Sequence, residues 1–233
     1  MTTRPPEAPP SAVATRRGDD GTTALLFGGD RIPKDDPRTE AFGTLDEAVA
    51  ALGLARAELD ARRRLGEMPP ALDGLQPLVL RIQRELFVAG AELAANPAAW
   101  ERLEDGRTRV SADMVGGLDA ALADLEARVE FPGEFVVPGE TRISAALELA
   151  RTTVRRAERR AVTLERAGLV PGPHLLPYLN RLGDLLWVAA RAAEQAEART
   201  ATVARPVSPP RPGTAARPAA AARRAARARR TEK

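Results

Sequence analysis

The sequence predicts an all-α fold, a five-helix up-and-down bundle, and three observations carry that expectation. Aromatic residues make up only 3% of the 233-residue chain while Ala and Leu dominate, which suits close-packed helices better than a β-sandwich. Five stretches repeat apolar residues at steps of three and four, the buried stripe of an amphipathic helix. The links between them are short and contain Gly and Pro, as antiparallel neighbours require. No internal repeat and no convincing strand interrupts the pattern.

Residues 1–14 read as a flexible leader, and a glycine-rich, charged stretch follows from Thr15 to Gly43. Thr44 with Glu47 forms a capping box, which predicts a first helix reaching about Arg64. After the breaker Gly66 to Pro70, the residues Leu75, Leu78, Val79, Ile82, Leu86, Ala89 and Leu93 mark a second helix. Ser111 caps a third, carried by Met114, Leu118, Leu122, Leu125 and Val129. The fourth spans about Arg142 to Ala167, with Ile143, Leu147, Ala150, Val154, Ala157, Ala161 and Leu164 as its stripe. The fifth runs from His174 to about Ala198. Residues 15–199 therefore form the predicted folded unit, and residues 200–233 a disordered tail of Pro, Ala and Arg that lacks the apolar residues to offset its ordering entropy.

Charge follows the same division. Nine Lys and Arg against one Glu lie in residues 200–233, leaving 26 basic and 31 acidic side chains before them. The tail could touch nucleic acid weakly, but no aromatic residue interleaves with its arginines, so base stacking is not expected. The absence of cysteine excludes a disulfide scaffold, a thiolate nucleophile and a zinc knuckle, and fits a reducing, cytoplasmic setting. No apolar run approaches the roughly 18 residues of a membrane span, and the Pro- and Glu-rich N-terminus does not read as a secretory signal. The lone histidine, His174, beside Pro173, excludes histidine-based metal or triad chemistry.

Four segments could carry chemistry. In the fourth helix Arg151, Arg155 and Glu158 fall on one face. They form either a solvated face or a cationic fork for phosphates or a partner's carboxylate. At Thr15, Arg16, Arg17, Gly18, Asp19, Asp20, Gly21, Thr22 and Thr23, glycines permit close backbone approach and Thr hydroxyls could cradle phosphate oxygens. Arg16, Arg31 and Lys34 add positive charge there, and Asp19 and Asp20 could hold magnesium or simply begin a turn. Asn180, Asp184 and Trp187 share one face of the fifth helix, where they fasten it to a neighbour or line a site. Phe135 stands in a linker, in a chain with eight aromatics; a ring there could cap the core or serve a ligand.

In this order and spacing the segments resemble the ATP:cob(I)alamin adenosyltransferases of the propanediol-utilisation type, from about Thr15 to Arg191. The signatures are the run from Thr15 to Thr23, Lys34-Asp35-Asp36-Pro37-Arg38 with Gly43-Thr44-Leu45-Asp46-Glu47, Ala150-Arg151-Thr152 through Arg155-Arg156-Ala157-Glu158-Arg159, and Tyr178-Leu179-Asn180-Arg181-Leu182-Gly183-Asp184. The resemblance implies a homotrimer with active sites between subunits, transferring the 5′-deoxyadenosyl group of ATP to the cobalt of reduced cobalamin and releasing triphosphate. It implies that Thr15, Arg16, Arg17, Gly18, Thr22, Thr23 and Lys34 wrap the triphosphate, and that Arg155, Glu158 and Asn180 complete the nucleotide site. Magnesium would ride on the ATP phosphates, with Glu158 as a further candidate protein ligand. Arg151 would pair with Asp46 across the subunit interface, and Phe135 would lie beneath the corrin. The chain departs from the family's pattern in a loop one residue longer before Gly28-Gly29, in Arg17 for Thr or Asn, Ala48 for Leu, Glu140 for Gly and Glu148 for His, and in the basic tail, which replaces an aromatic C-terminal segment. These departures leave a second reading, a non-catalytic relative that carries or senses ATP or adenosylcobalamin. A third is a structural bundle whose tail binds nucleic acid.

Overall fold

A computed structural model describes residues 14–204. Five long helices form: α1 (Pro37–Arg64), α2 (Leu75–Ala94), α3 (Ala112–Glu126), α4 (Arg142–Arg166) and α5 (Leu175–Ala196). The expected helices recur with ends within a few residues, except that α1 starts about two turns before the expected cap at Thr44. Asp36 is the actual N-cap, accepting from the Arg38 amide at 2.8 Å with Pro37 at the first helical position. Thr44 lies inside the helix, buried, with its hydroxyl donating to the Glu40 carbonyl at 2.7 Å. The apolar stripe that includes Ala41 carries the helix through it. The expected cap of α3 forms, with Ser111 Oγ accepting from the Met114 amide at 3.3 Å. A reciprocal pair of bonds between Thr141 and Ser144 caps α4.

α1 packs on α2 and α4, α4 on α5, and α5 on α3. The spatial order α2, α1, α4, α5, α3 differs from the chain order, so α4 lies beside α1 and not beside α3. Small residues explain this choice: Ala41, Ala48 and Ala55 of α1 and Ala150, Ala157 and Ala161 of α4 are all fully buried, which lets two backbones approach closely. Arg156 pairs with Glu47, and Arg160 with Glu40 and Thr44, across the same contact. Leu52, Leu86, Leu147 and Leu182 fill the shared core.

The segment before α1 holds structure that the sequence pattern does not reveal. β1 (Thr22–Thr23) and β2 (Ile32–Pro33) pair antiparallel, Thr22 opposite Pro33. Two-residue strands show no alternation to read. Leu26 fixes this hairpin to the end of α2, its amide donating to the Ala94 carbonyl at 2.8 Å and its carbonyl accepting from the Asn96 amide at 3.0 Å. Beyond α5, the Val137 amide donates to the Thr202 carbonyl at 2.8 Å and the Ala204 amide to the Phe135 carbonyl at 2.7 Å. Residues 200–204, expected at the head of the tail, are thus tied to the Phe135 linker. The leader through residue 13 and the tail from residue 205 lie outside the described residues. Among the described residues, no helix is long and apolar enough to cross a membrane.

Candidate functional site

α4, α5 and the linker at 133–138 enclose a cavity of about 700 Å³, lined by Phe135, Glu148, Arg151, Arg155, Asp184 and Trp187 among others. Spacing puts them there. Arg151 and Arg155 are one turn apart on α4, and Asp184 and Trp187 nearly a turn apart on the facing side of α5. Arg151 Nε donates to Glu148 Oε2 at 2.6 Å, one turn back. Arg155 makes no side-chain hydrogen bond or ion pair among the described residues, and its stem crosses α5 over Gly183, where an added Cβ would stand 3.5 Å from Arg155 Cγ. One turn further, Asn180 Nδ2 donates to Glu158 Oε1 at 2.9 Å. Phe135 is 87% exposed, so it does not cap the bundle core; its ring stands at the cavity wall.

Behind Glu148 and Trp187 of the cavity wall lies a buried charged cluster. Arg191, one turn past Trp187, is 1% exposed and contacts Glu148 Oε1 at 3.3 Å and Glu194 Oε1 at 2.7 Å. Burial holds the Glu194 carboxyl above its ordinary range. The Arg191 guanidinium also lies 5.6 Å from the centre of the Trp187 ring, which stacks on Phe131 at 5.7 Å. Glu140 is engaged by the Thr202 hydroxyl and is not among the cavity residues.

The glycine-rich loop is built by its own side chains. Lys34 Nζ donates to the Gly18 carbonyl at 2.7 Å. Arg31 donates to Thr22 Oγ1 at 2.7 Å, to the Thr22 carbonyl at 2.8 Å and to the Arg17 carbonyl at 2.7 Å. Asp20 accepts from both the amide and the hydroxyl of Thr22, and the hydroxyl bond is the main reason its carboxyl sits below the usual range. That is an Asp-initiated turn. Asp20 thus begins a turn, as one of its two readings expects, and no group of three or more His, Cys, Asp or Glu could hold a metal among the described residues. Thr15, Arg16 and Arg17 are exposed around it.

Within one chain these parts do not meet. Asp46 is exposed on α1, in a groove with Leu26, Phe42, Leu86, Phe87 and Ala94. Its side chain has no partner among the described residues, and Arg151 is paired instead with Glu148. The structure thus brings Phe135, Arg151 and Arg155 to one cavity and joins Glu158 to Asn180, but places Asp46 and the loop's anchor, Leu26, at the α1–α2 groove.

A family model described as cobalamin adenosyltransferase matches residues 13–193. The chain belongs to that family. It is 40% identical over 198 residues to the corrinoid adenosyltransferase PduO of Salmonella typhimurium, a match covering 84% of this chain and 54% of that one. It is 38% identical over 182 residues to a corrinoid adenosyltransferase of Citrobacter freundii, covering 78% of this chain and 94% of that one. The chain therefore spans about half the length of the Salmonella relative and nearly all of the Citrobacter one. Among solved structures it is similar to a variant PduO-type ATP:corrinoid adenosyltransferase from Lactobacillus reuteri complexed with cobalamin and ATP. There the TM-score is 0.69 and the identity 29%, with 82% of this chain and 98% of the other covered.

Arg191 and Glu194 carry no motif, and one signal in the sequence points to them: at steps of four and three they continue the face of α5 that holds Asn180, Asp184 and Trp187, and a charge that is buried there has no place unless it is paired.

Proposed function

We propose that this chain transfers the 5′-deoxyadenosyl group of ATP to the cobalt of cob(I)alamin and releases triphosphate, at a site completed between the subunits of a homotrimer. The observation that carries the reading is a pair of unfinished half-sites. The α4–α5 cavity presents Arg155 with no partner and Arg151 with only Nε engaged. The α1–α2 groove presents Asp46 with no partner beside Phe87, which is 62% exposed. Docking that groove onto α4, where Leu149 is 51% exposed next to these arginines, would pair Asp46 with Arg151. It would also carry the loop anchored at Leu26 toward Arg155.

The chemistry asks little of the protein's side chains. Cobalt(I) supplies the electron pair for the new cobalt–carbon bond, and the C5′–O bond breaks with its pair leaving on triphosphate. The protein aligns the ribose carbon and stabilises charge on the leaving group. Lys34 Nζ gives one hydrogen to Gly18 and keeps two for phosphate oxygens. Arg155 adds a charge-assisted contact, and the Glu158–Asn180 pair orders the nucleotide side. Thr15, Arg16, Arg17, Gly18, Thr22 and Thr23 line the triphosphate path. The donor set fits magnesium carried mainly by phosphate oxygens, with Glu158 Oε2, which Asn180 leaves unengaged, as a candidate protein ligand. The exposed ring of Phe135 lies beneath the corrin, where an apolar surface favours the cobalt state that lacks its lower ligand. The absence of cysteine accords with a cytoplasmic setting.

A complementation assay tests the reading. Asp46→Ala and Arg151→Ala should each lose most adenosylation, and mixed trimers of the two should regain part of it, because some interfaces then hold both native residues. Failure of the mixture to recover activity, with trimers formed, would rule out a site shared in this way. ATP binding without any new cobalt–carbon absorbance in a single turnover of the native chain would favour a carrier or sensor.

A further inference from the structure

We propose that Glu148 and Arg191 are positioning residues that set the direction of Arg151, so that its terminal nitrogens face the site. The inference rests on the role assigned to Arg151 above. Four charged groups stand in a row from the cavity wall into the core: Arg151, Glu148, Arg191 and Glu194. Their contacts alternate in sign, 2.6 Å from Arg151 Nε to Glu148, 3.3 Å from Glu148 to Arg191, and 2.7 Å from Arg191 to Glu194. Exposure falls along the row, from 25% at the Arg151 side chain to 3% at Glu148 and 1% at Arg191.

Buried ion pairs of this kind seldom exist for stability, since apolar residues of similar volume serve as well or better. Several atoms in the row are also left without hydrogen bonds, among them Arg191 Nε and Nη1 and Glu194 Oε2. The arrangement is costly for a core, and geometry supplies what it gains. A guanidinium held at Nε cannot swing about its long side chain, and the edge carrying Nη1 and Nη2 stays open. Glu148 is buried, and its second oxygen faces the Arg191 guanidinium at 3.3 Å, an ion pair without a hydrogen bond. Arg191 in turn lies against Trp187, a second cavity residue, so one buried cation fixes two walls of the site.

The test is a cycle of full-length variants: Glu148→Gln, Arg151→Ala and the two combined, with kcat, KM for ATP and thermal melting measured for each. Glu148→Gln keeps size and an acceptor but loses the charge. It should lower kcat on the order of 10- to 100-fold, as misplacement of a site group does, with KM for ATP little changed. In the Arg151→Ala background it should cost nothing further. A native kcat in a folded Glu148→Gln, or losses that multiply with those of Arg151→Ala, would overturn the proposal. If Glu148→Gln does not fold, Arg191→Gln replaces it in the same cycle: it keeps a donor but removes the positive charge that stands behind Glu148, and the same outcomes apply. A native chain that turns over while Arg151→Ala matches it would refute the role of Arg151, and this inference with it. A native chain with no turnover would instead refute the enzymatic reading.

Discussion

Replacing Arg155 by Ala isolates a ligand contact from a structural one. Its guanidinium makes no hydrogen bond or ion pair among the described residues, and its stem passes over Gly183, where an added Cβ would stand 3.5 Å from Arg155 Cγ. Truncation should therefore leave folding stability within about 0.5 kcal/mol of the native chain, as expected of a surface position. At the site the loss is larger. A charge-assisted hydrogen bond is worth about 1.5–3 kcal/mol, which corresponds to roughly a 10- to 150-fold weakening of ATP binding. Calorimetric titration of the full chain with ATP and magnesium at fixed ionic strength reads this directly, with a melt of the same sample as control. The gap between native and variant should narrow as salt rises, because the contact is between charges. Unchanged ATP affinity and turnover in a folded Arg155→Ala would refute the assignment of Arg155 to the triphosphate. A large drop in melting temperature would show that the residue supports the fold.

Phe135→Ala removes a ring that is almost wholly in solvent, so melting and ATP binding should hold while adenosylation starting from cobalt(II) falls; normal turnover from cobalt(II) would separate the ring from the reaction. Asp46→Asn should move the proposed trimer assembly to higher protein concentration in sedimentation without loss of helicity, since the Asp46 side chain has no partner among the described residues; unchanged assembly would break the proposed link to Arg151. Glu92 accepts from the Val110 amide at 2.7 Å, and burial raises its carboxyl to about 7 from an ordinary 4.5. The folded state then binds more protons than the unfolded chain between these values. Stability should fall as pH rises through that window, by up to roughly 3 kcal/mol. Glu92→Gln, which keeps an acceptor for Val110, should flatten the dependence in urea melts, and parallel slopes for the two proteins would contradict it.

Helix content and buried stripes were legible because they depend on local spacing. Every member of the stripe Ile143, Leu147, Ala150, Val154, Ala157, Ala161 and Leu164 is buried in α4. The start of α1 was misread because Thr44 and Glu47 satisfy the capping pattern, yet both have tertiary partners in Arg160 and Arg156. The arginine run shows the same limit. Sequence places five arginines in ten residues but does not say which neighbour each will find. Arg156 and Arg160 join α4 to α1, while Arg151 and Arg155 reach the cavity. Side-chain chains of contact, such as Glu148 to Arg191 across α4 and α5, are invisible to periodicity because they link residues 43 positions apart on different helices.

The size of the cavity bears on how two large substrates are accommodated. Ligand pockets typically hold about 300–1,000 Å³, and the α4–α5 cavity, at about 700 Å³, falls within the range for one such molecule. Close packing of α1 on α4 through alanines leaves no room to enlarge it inward. ATP and a corrin together need a second wall, and the residues best suited to phosphate stand in the loop anchored to the end of α2 through Leu26. A neighbouring subunit can bring that loop to the cavity without rebuilding either element. On this argument Lys34 of one chain and Arg155 of the next share a triphosphate. Their pairing gives a direct check: Lys34→Ala and Arg155→Ala, each expected to lose most turnover alone, should regain part of it when mixed, because some interfaces then hold both native residues, and a mixture as inactive as its parents would refute the sharing.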